Sequence, residues 1–224
     1  MMRIKRLVLL CGALLFLLCF RTAPVHAFGL GLFGNFDGGK MIWEGYPATF
    51  MNYGGGFVMD TNLAGDQVFN YRLELGFSNL RTPYEVKEWD LIPTMIASYM
   101  MGTIFPVEKY ETYYENSLAL TTVHYFGFGV VRSKNVRFWL GPQITIGGML
   151  TNLTGFIAGI GFAMGLNINI GDVFTLSFVG SGRYIGGVRF FSYQGTTYSQ
   201  GGYGGDGMIT VGFIFRIPGD TYRR

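Results

Sequence analysis

Val68-Phe69-Asn70-Tyr71-Arg72-Leu73-Glu74-Leu75-Gly76-Phe77-Ser78 alternates two chemistries without a slip. Phe69, Tyr71, Leu73, Leu75 and Phe77 fall on one face, and Asn70, Arg72, Glu74, Gly76 and Ser78 on the other. A strand sends successive side chains to opposite faces, so this period of two is a strand with one apolar and one polar face. The same alternation recurs along the chain with glycine, amides and charges on the second face. That repetition predicts a barrel turned inside out, apolar toward lipid and polar toward its axis. Slipping this strand by one residue would place Arg72 in hydrocarbon, at roughly 2–4 kcal/mol near the midplane.

Working outward, the N-terminus reads as a secretory leader. Arg3, Lys5 and Arg6 precede the apolar run Leu7 to Phe20, and Val25-His26-Ala27 offers small residues for cleavage before Phe28, so residues 1–27 are expected to be removed. The apolar run is short for a membrane helix, which needs about 20 residues. Leu18 before Cys19 does not suit a lipidation signal. Both cysteines, Cys11 and Cys19, lie in this leader, so the mature chain has none to pair. The leader also carries four basic residues, Arg3, Lys5, Arg6 and Arg21, and no acid. The chain has 17 basic and 14 acidic residues, so the mature part has 17 − 4 = 13 against 14, a net of −1. Nucleic acid as a partner therefore loses its electrostatic support. Charged residues are 14% and aromatics 17% of the chain, where about 25% charged is usual for soluble domains. An exported, aromatic, charge-poor chain can meet a bilayer as a closed barrel, which satisfies its own backbone.

In order along the chain, strands are expected at Phe28 to Phe36, Phe50 to Leu63, Val68 to Leu80, Ser117 to Val131 and Val136 to Met149. Three more follow: one from Phe156 to Asn169, one opening at Phe174 and carrying Arg183, and one from Gly207 to Ile217. Pro142 removes a ladder hydrogen bond and predicts a bulge in the fifth. Turns after strands two, four and six read as short, as does the connection after five. Longer connections are expected at Asp37 to Thr49, Arg81 to Glu115 and Phe190 to Asp206. The apolar middle of the longest, Leu91 to Phe105, is read as loop; as a strand pair it would make ten strands. Eight strands put both termini at one end, with residues 28–217 forming the barrel and 218–224 a short tail.

Phe126-Gly127-Phe128-Gly129-Val130-Val131-Arg132, followed by Val136-Arg137-Phe138-Trp139-Leu140-Gly141-Pro142-Gln143, resembles a run found in a broad group of bacterial outer-membrane β-barrel proteins. The overall plan is similar to the eight-stranded OmpX-type and OmpW-type barrels. The resemblance implies an all-β, closed eight-stranded antiparallel transmembrane β-barrel in the outer membrane of a Gram-negative bacterium. It also implies the barrel assembly machinery, outer-membrane lipid and lipopolysaccharide as partners. The last strand resembles the assembly signal but ends in Ile217 and a tail rather than on an aromatic.

Chemistry is sparse. His124 is the one histidine of the mature chain, and Thr121, Thr122 and Tyr125 near it include no serine for the triad of lipid A-modifying barrels. A packed histidine in the lumen or beside a bulge is the plainer reading. One histidine without cysteine does not make a zinc or iron site, and no cofactor is expected. The inward set Asp60, Asn70, Arg72, Glu74, Arg137, Gln143, Arg183 and Arg216 is expected to share the lumen as an ion-pair plug. Tyr53, Tyr125 and Tyr184 read as interfacial girdle residues. Tyr84, Trp89, Tyr110, Tyr113, Tyr193 and Tyr198 fall in the expected loops as an external recognition surface. The resulting expectation is a non-enzymatic, porin-like barrel with a plugged lumen and a structural or surface-interaction role. A conduit for small solutes is the alternative, and a lipid A-modifying enzyme comes third.

Overall fold

A computed structural model describes residues 27–43, 46–61, 68–90, 107–150, 154–193 and 196–218. Within them lie eight strands: β1 Ala27–Trp43, β2 Tyr46–Asp60, β3 Phe69–Asp90, β4 Val107–Arg132, β5 Val136–Leu150, β6 Thr154–Ile170, β7 Phe174–Tyr193 and β8 Thr196–Pro218. Each pairs antiparallel with its sequence neighbour, and β1 pairs with β8 from Ala27 opposite Pro218 to Trp43 opposite Gly202. The ring is closed, so the barrel wall has no free edge at this seam. The expected leader, the middle of the longest connection and most of the tail lie outside the described residues.

Strand alternation sorts the side chains. Leu32, Phe57, Ile160, Phe162, Ile209 and Phe213 are more than half exposed on the outside, whereas Asn70, Arg72, Glu74, Arg137, Ser177 and Thr210 are fully buried within. On β3 the outward set includes Phe69, Leu75 and Phe77. Apolar surface left exposed on this scale, all round a closed cylinder, is the opposite of a soluble barrel's distribution.

The expected long loops and the expected bulge are corrected. The segments Asp37 to Thr49 and Phe190 to Asp206 are strand throughout their described residues, because their glycines and aspartates occupy positions of a tight wall rather than a loop. Likewise Arg81 to Asp90 and Val107 to Glu115 are paired strand, not loop. Length asymmetry thus resides in the strands: β3 and β4 run 22 and 26 residues, where roughly 9–11 cross a bilayer. Nor is there a bulge at Pro142. Tyr125 opposite Gln143 and Phe128 opposite Leu140 keep one register across it, and the shift falls between Gly129 and Val131 on β4.

Two buried tryptophans require glycine on a neighbouring strand. Trp139 lies opposite Gly165, where a Cβ would sit inside the indole, and a Cβ on Gly127 would come within 2.8 Å of Trp139 Cε3. Trp43 lies opposite Gly202 in the same relation. At the β6–β7 turn Gly171 takes a positive φ of 61°, which a residue with a side chain rarely adopts.

Candidate functional site: the lumen

The inward residues form successive layers along the axis. Nearest the termini, Arg137 on β5 donates through Nη2 to the Val68 carbonyl at 3.2 Å and to Asn70 Oδ1 at 3.4 Å. Asp60 is buried at the end of β2, opposite Arg72 in register.

Above it Arg72 donates to Glu74 Oε1 from Nε at 2.9 Å and from Nη2 at 2.7 Å. The Tyr125 hydroxyl donates to the other oxygen, Glu74 Oε2, at 2.9 Å. Arg72 Nη1 also reaches Ser177 Oγ, which in turn donates to Asn167 Oδ1 at 2.7 Å. Since β3 and β7 stand four strands apart in a ring of eight, the Arg72–Ser177 bond crosses the full diameter. Both charges are fully buried, and such a pair persists only when hydrogen bonds satisfy its remaining valences.

A second layer centres on Arg183. Its Nε donates to Asp206 Oδ1 at 2.8 Å, its Nη2 to Asp37 Oδ2 at 2.9 Å and also to Asp206 Oδ2, and its Nη1 to Thr145 Oγ1 at 3.4 Å. Asn52 Nδ2 donates to Asp37 Oδ2 at 3.1 Å. This layer draws on β1, β2, β5, β7 and β8. At the end opposite the termini, Arg189 lies over the Trp43 ring, 4.3 Å from its centroid, and holds Gln200 Oε1 through Nε and Nη2. Between these two layers Met41, Phe50, Leu80, Ala119, Met149 and Ile185 form an apolar chamber.

Of the expected lumen residues, Asp60, Asn70, Arg72, Glu74, Arg137, Gln143 and Arg183 are buried inside. Arg216 shares the inward strand face of Thr210 and Ile214 and has its Nε buried. It is half-buried at the rim by the termini, where Nη2 donates to the Gly171 carbonyl and anchors the turn. Tyr125 is no girdle residue: it shares its strand face with Val123, packs edge-on to Trp139 and is fully buried. His124 faces outward rather than into the lumen, with Nδ1 2.7 Å from the Tyr71 hydroxyl of the adjacent strand and not from a serine. Among the described residues no cluster of three or more His, Cys, Asp or Glu is placed to hold a metal.

Asn52 and Thr145 lie inside as strand alternation places them, whereas Asp37, Arg189 and Asp206 are lumen residues that sequence reasoning left out. The even parity of β8 positions 206, 208 and 210 would have found Asp206. Tyr84, Trp89, Tyr110, Tyr113, Tyr193 and Tyr198 belong to strand extensions, not loops. Tyr84 stands opposite Tyr113, Lys87 opposite Tyr110, and Tyr193 opposite Thr196 in backbone register. Their side chains lie outside the described residues.

The chain is an all-β protein built as a closed eight-stranded antiparallel barrel with its polar face inward. It is similar in fold to a solved outer-membrane protein. OprG of Pseudomonas aeruginosa superposes with a TM-score of 0.55 at 9% identity, over 87% of this chain and 97% of that one. The outer-membrane protease OmpT of Escherichia coli aligns over 87% of this chain and 98% of its own at 7% identity, with a TM-score of 0.37. No family model matches the chain, and no curated protein does.

Proposed function

We propose that the protein is a non-enzymatic outer-membrane β-barrel whose lumen is closed and whose work is done at the cell surface. The observation that carries this reading is the Arg72–Glu74–Tyr125 layer with its bond across the diameter to Ser177. Opening a path there means separating a buried ion pair, which costs several kcal/mol. The outward apolar band ends in polar side chains at both rims. Lys40, Thr49, Arg81 and Asn116 are exposed at the far end, where Asn79 also donates to the Tyr53 hydroxyl at 2.9 Å. Arg132, Lys134 and Asp172 are exposed at the end carrying the termini. In an outer membrane the termini face the periplasm, which puts Lys40 and Arg81 at the level of lipopolysaccharide phosphates. The leader supports export, and a barrel arriving this way requires the assembly machinery. Beyond the rim β3 and β4 continue as a two-stranded ribbon carrying Tyr84, Trp89, Tyr110 and Tyr113, ten residues or roughly 33 Å long from Arg81 to Asp90. Its aromatic content supports a role in contacting lipopolysaccharide, a host surface or a neighbouring protein.

Single-channel recording in planar bilayers tests the closure. The expected result is no steady current from the unmodified barrel and stepwise conductance from Arg72→Ala/Glu74→Ala. A stable open level in the unmodified protein would establish the conduit instead.

A further inference from the structure

Between the Arg183 layer and Trp43 the lumen holds a cavity that offers about 40 Å³ to the centres of water molecules. One centre takes about 10–15 Å³, so the space suits about three waters or a small ligand group. Its walls divide. The outer part is the apolar chamber of Met41, Trp43, Phe50, Leu80, Met149 and Ile185; the inner part presents Asn35, Asp37, Asn52, Thr145, Arg183 and Asp206.

Two observations on the inner part point the same way. The first is a cluster of acceptors: Asn35 Oδ1, Asp37 Oδ1 and Asn52 Oδ1 are buried and have no hydrogen-bond partner. Asn35 and Asp37 are two residues apart on one strand face, and Asn52 stands opposite Asp37, so the three carboxyl and amide groups are neighbours. Asp37 is 3% and Asn52 6% exposed. The amide of Asn52 cannot simply turn to offer a donor, because its Nδ2 is committed to Asp37 Oδ2. The second observation is charge. Asp37 and Asp206 share the one guanidinium of Arg183, and Glu74, which also lines the cavity, is already matched by Arg72. With both aspartates ionised, the inner wall is one positive charge short among the described residues. Water or a neutral hydroxyl could donate to the three oxygens without supplying charge, and a proton held by Asp37 would remove the charge deficit but satisfy at most two of the three oxygens.

We propose that this cavity binds a primary ammonium group carried on a short apolar chain. The N–H groups meet the oxygens of Asn35, Asp37 and Asn52, and the chain lies against Met41, Phe50, Leu80 and Met149. Three donors and one positive charge answer both deficits, and the chamber beside them accepts carbon rather than a hydration shell. The site rests on the closed-lumen reading only for its direction of entry, past Trp43 and Arg189 from outside.

The test uses the refolded full-length mature chain in detergent, with the ¹³C-methyl signals of Met41 and Met149 as reporters and n-propylammonium, four heavy atoms, as probe. The expected result is a saturable shift, at least tenfold weaker for 1-propanol, which lacks the charge, and for tetramethylammonium, which lacks N–H donors. Asp37→Asn is expected to weaken propylammonium by tenfold or more. Equal binding of propanol would overturn the proposal in favour of a plain apolar cavity, and no saturable shift with any probe would leave only water there. The three-probe series in unmodified protein decides the matter even if Asp37→Asn does not fold. A conducting barrel that still bound propylammonium selectively would overturn the closure and leave this site standing.

Discussion

The Trp139 indole occupies space that two flanking strands leave empty, with Gly165 on one side and Gly127 on the other. Phe126 and Phe128 point outward, so the run Phe126-Gly127-Phe128-Gly129 supplies apolar surface outside and clearance inside at every step. That clearance makes glycines unequal. A Cβ on Gly165 would overlap Trp139, whereas on outward Gly182 it would find its nearest neighbour, the Asp206 carbonyl, at 3.9 Å. Gly165→Ala is therefore expected to lower stability by about 1–3 kcal/mol through forced displacement of the indole. Gly182→Ala is expected to stay within about 0.5 kcal/mol, as an open surface site does. Urea midpoints of the folded, heat-modifiable form compare the two, and equal effects would contradict this account of Trp139.

At the scale of the strand, parity was legible and extent was not. A period of two assigns Arg72, Glu74, Arg137 and Arg183 to one side wherever register is unbroken, because a slip would carry charge into hydrocarbon. Asp37-Gly38-Gly39 and the glycines before Asp206 carry turn-like composition, and nothing local reveals that a barrel wall passes through them. Tyr125 was misplaced by residue type: its ring suits an interface, but its parity with Val123 puts it inside. The lumen contacts join residues as far apart as Arg72 and Ser177, and no sequence spacing encodes a bond across the ring. The β3–β4 ribbon has a separate consequence. Pairing of the wall ends at Met51 opposite Arg81 and at Ala119 opposite Met149, so residues beyond these contribute nothing to closure. Replacing residues 83–114 with a short turn is expected to leave a folded barrel with unchanged gel heat-modifiability while abolishing surface binding. Failure to fold would show that the ribbon is part of the scaffold.

For the molecule as a whole, one arrangement satisfies three demands together: a closed ring pairs the backbone, an apolar exterior suits acyl chains, and the charges compensate one another around the axis. Trp139 is buried on the axis side and Phe162 exposed on the outer side of neighbouring strands. The chain has three tryptophans, Trp43, Trp89 and Trp139, so each position can be isolated as a fluorophore. In vesicles of brominated phospholipid, Trp43→Phe/Trp89→Phe, which keeps Trp139 alone, is predicted to retain its emission. Adding Phe162→Trp and Trp139→Phe to that chain moves the single fluorophore outside, and its emission is predicted to be strongly quenched. Quenching of Trp139 as deep as that at position 162 would contradict an inward polar face and an outward apolar one.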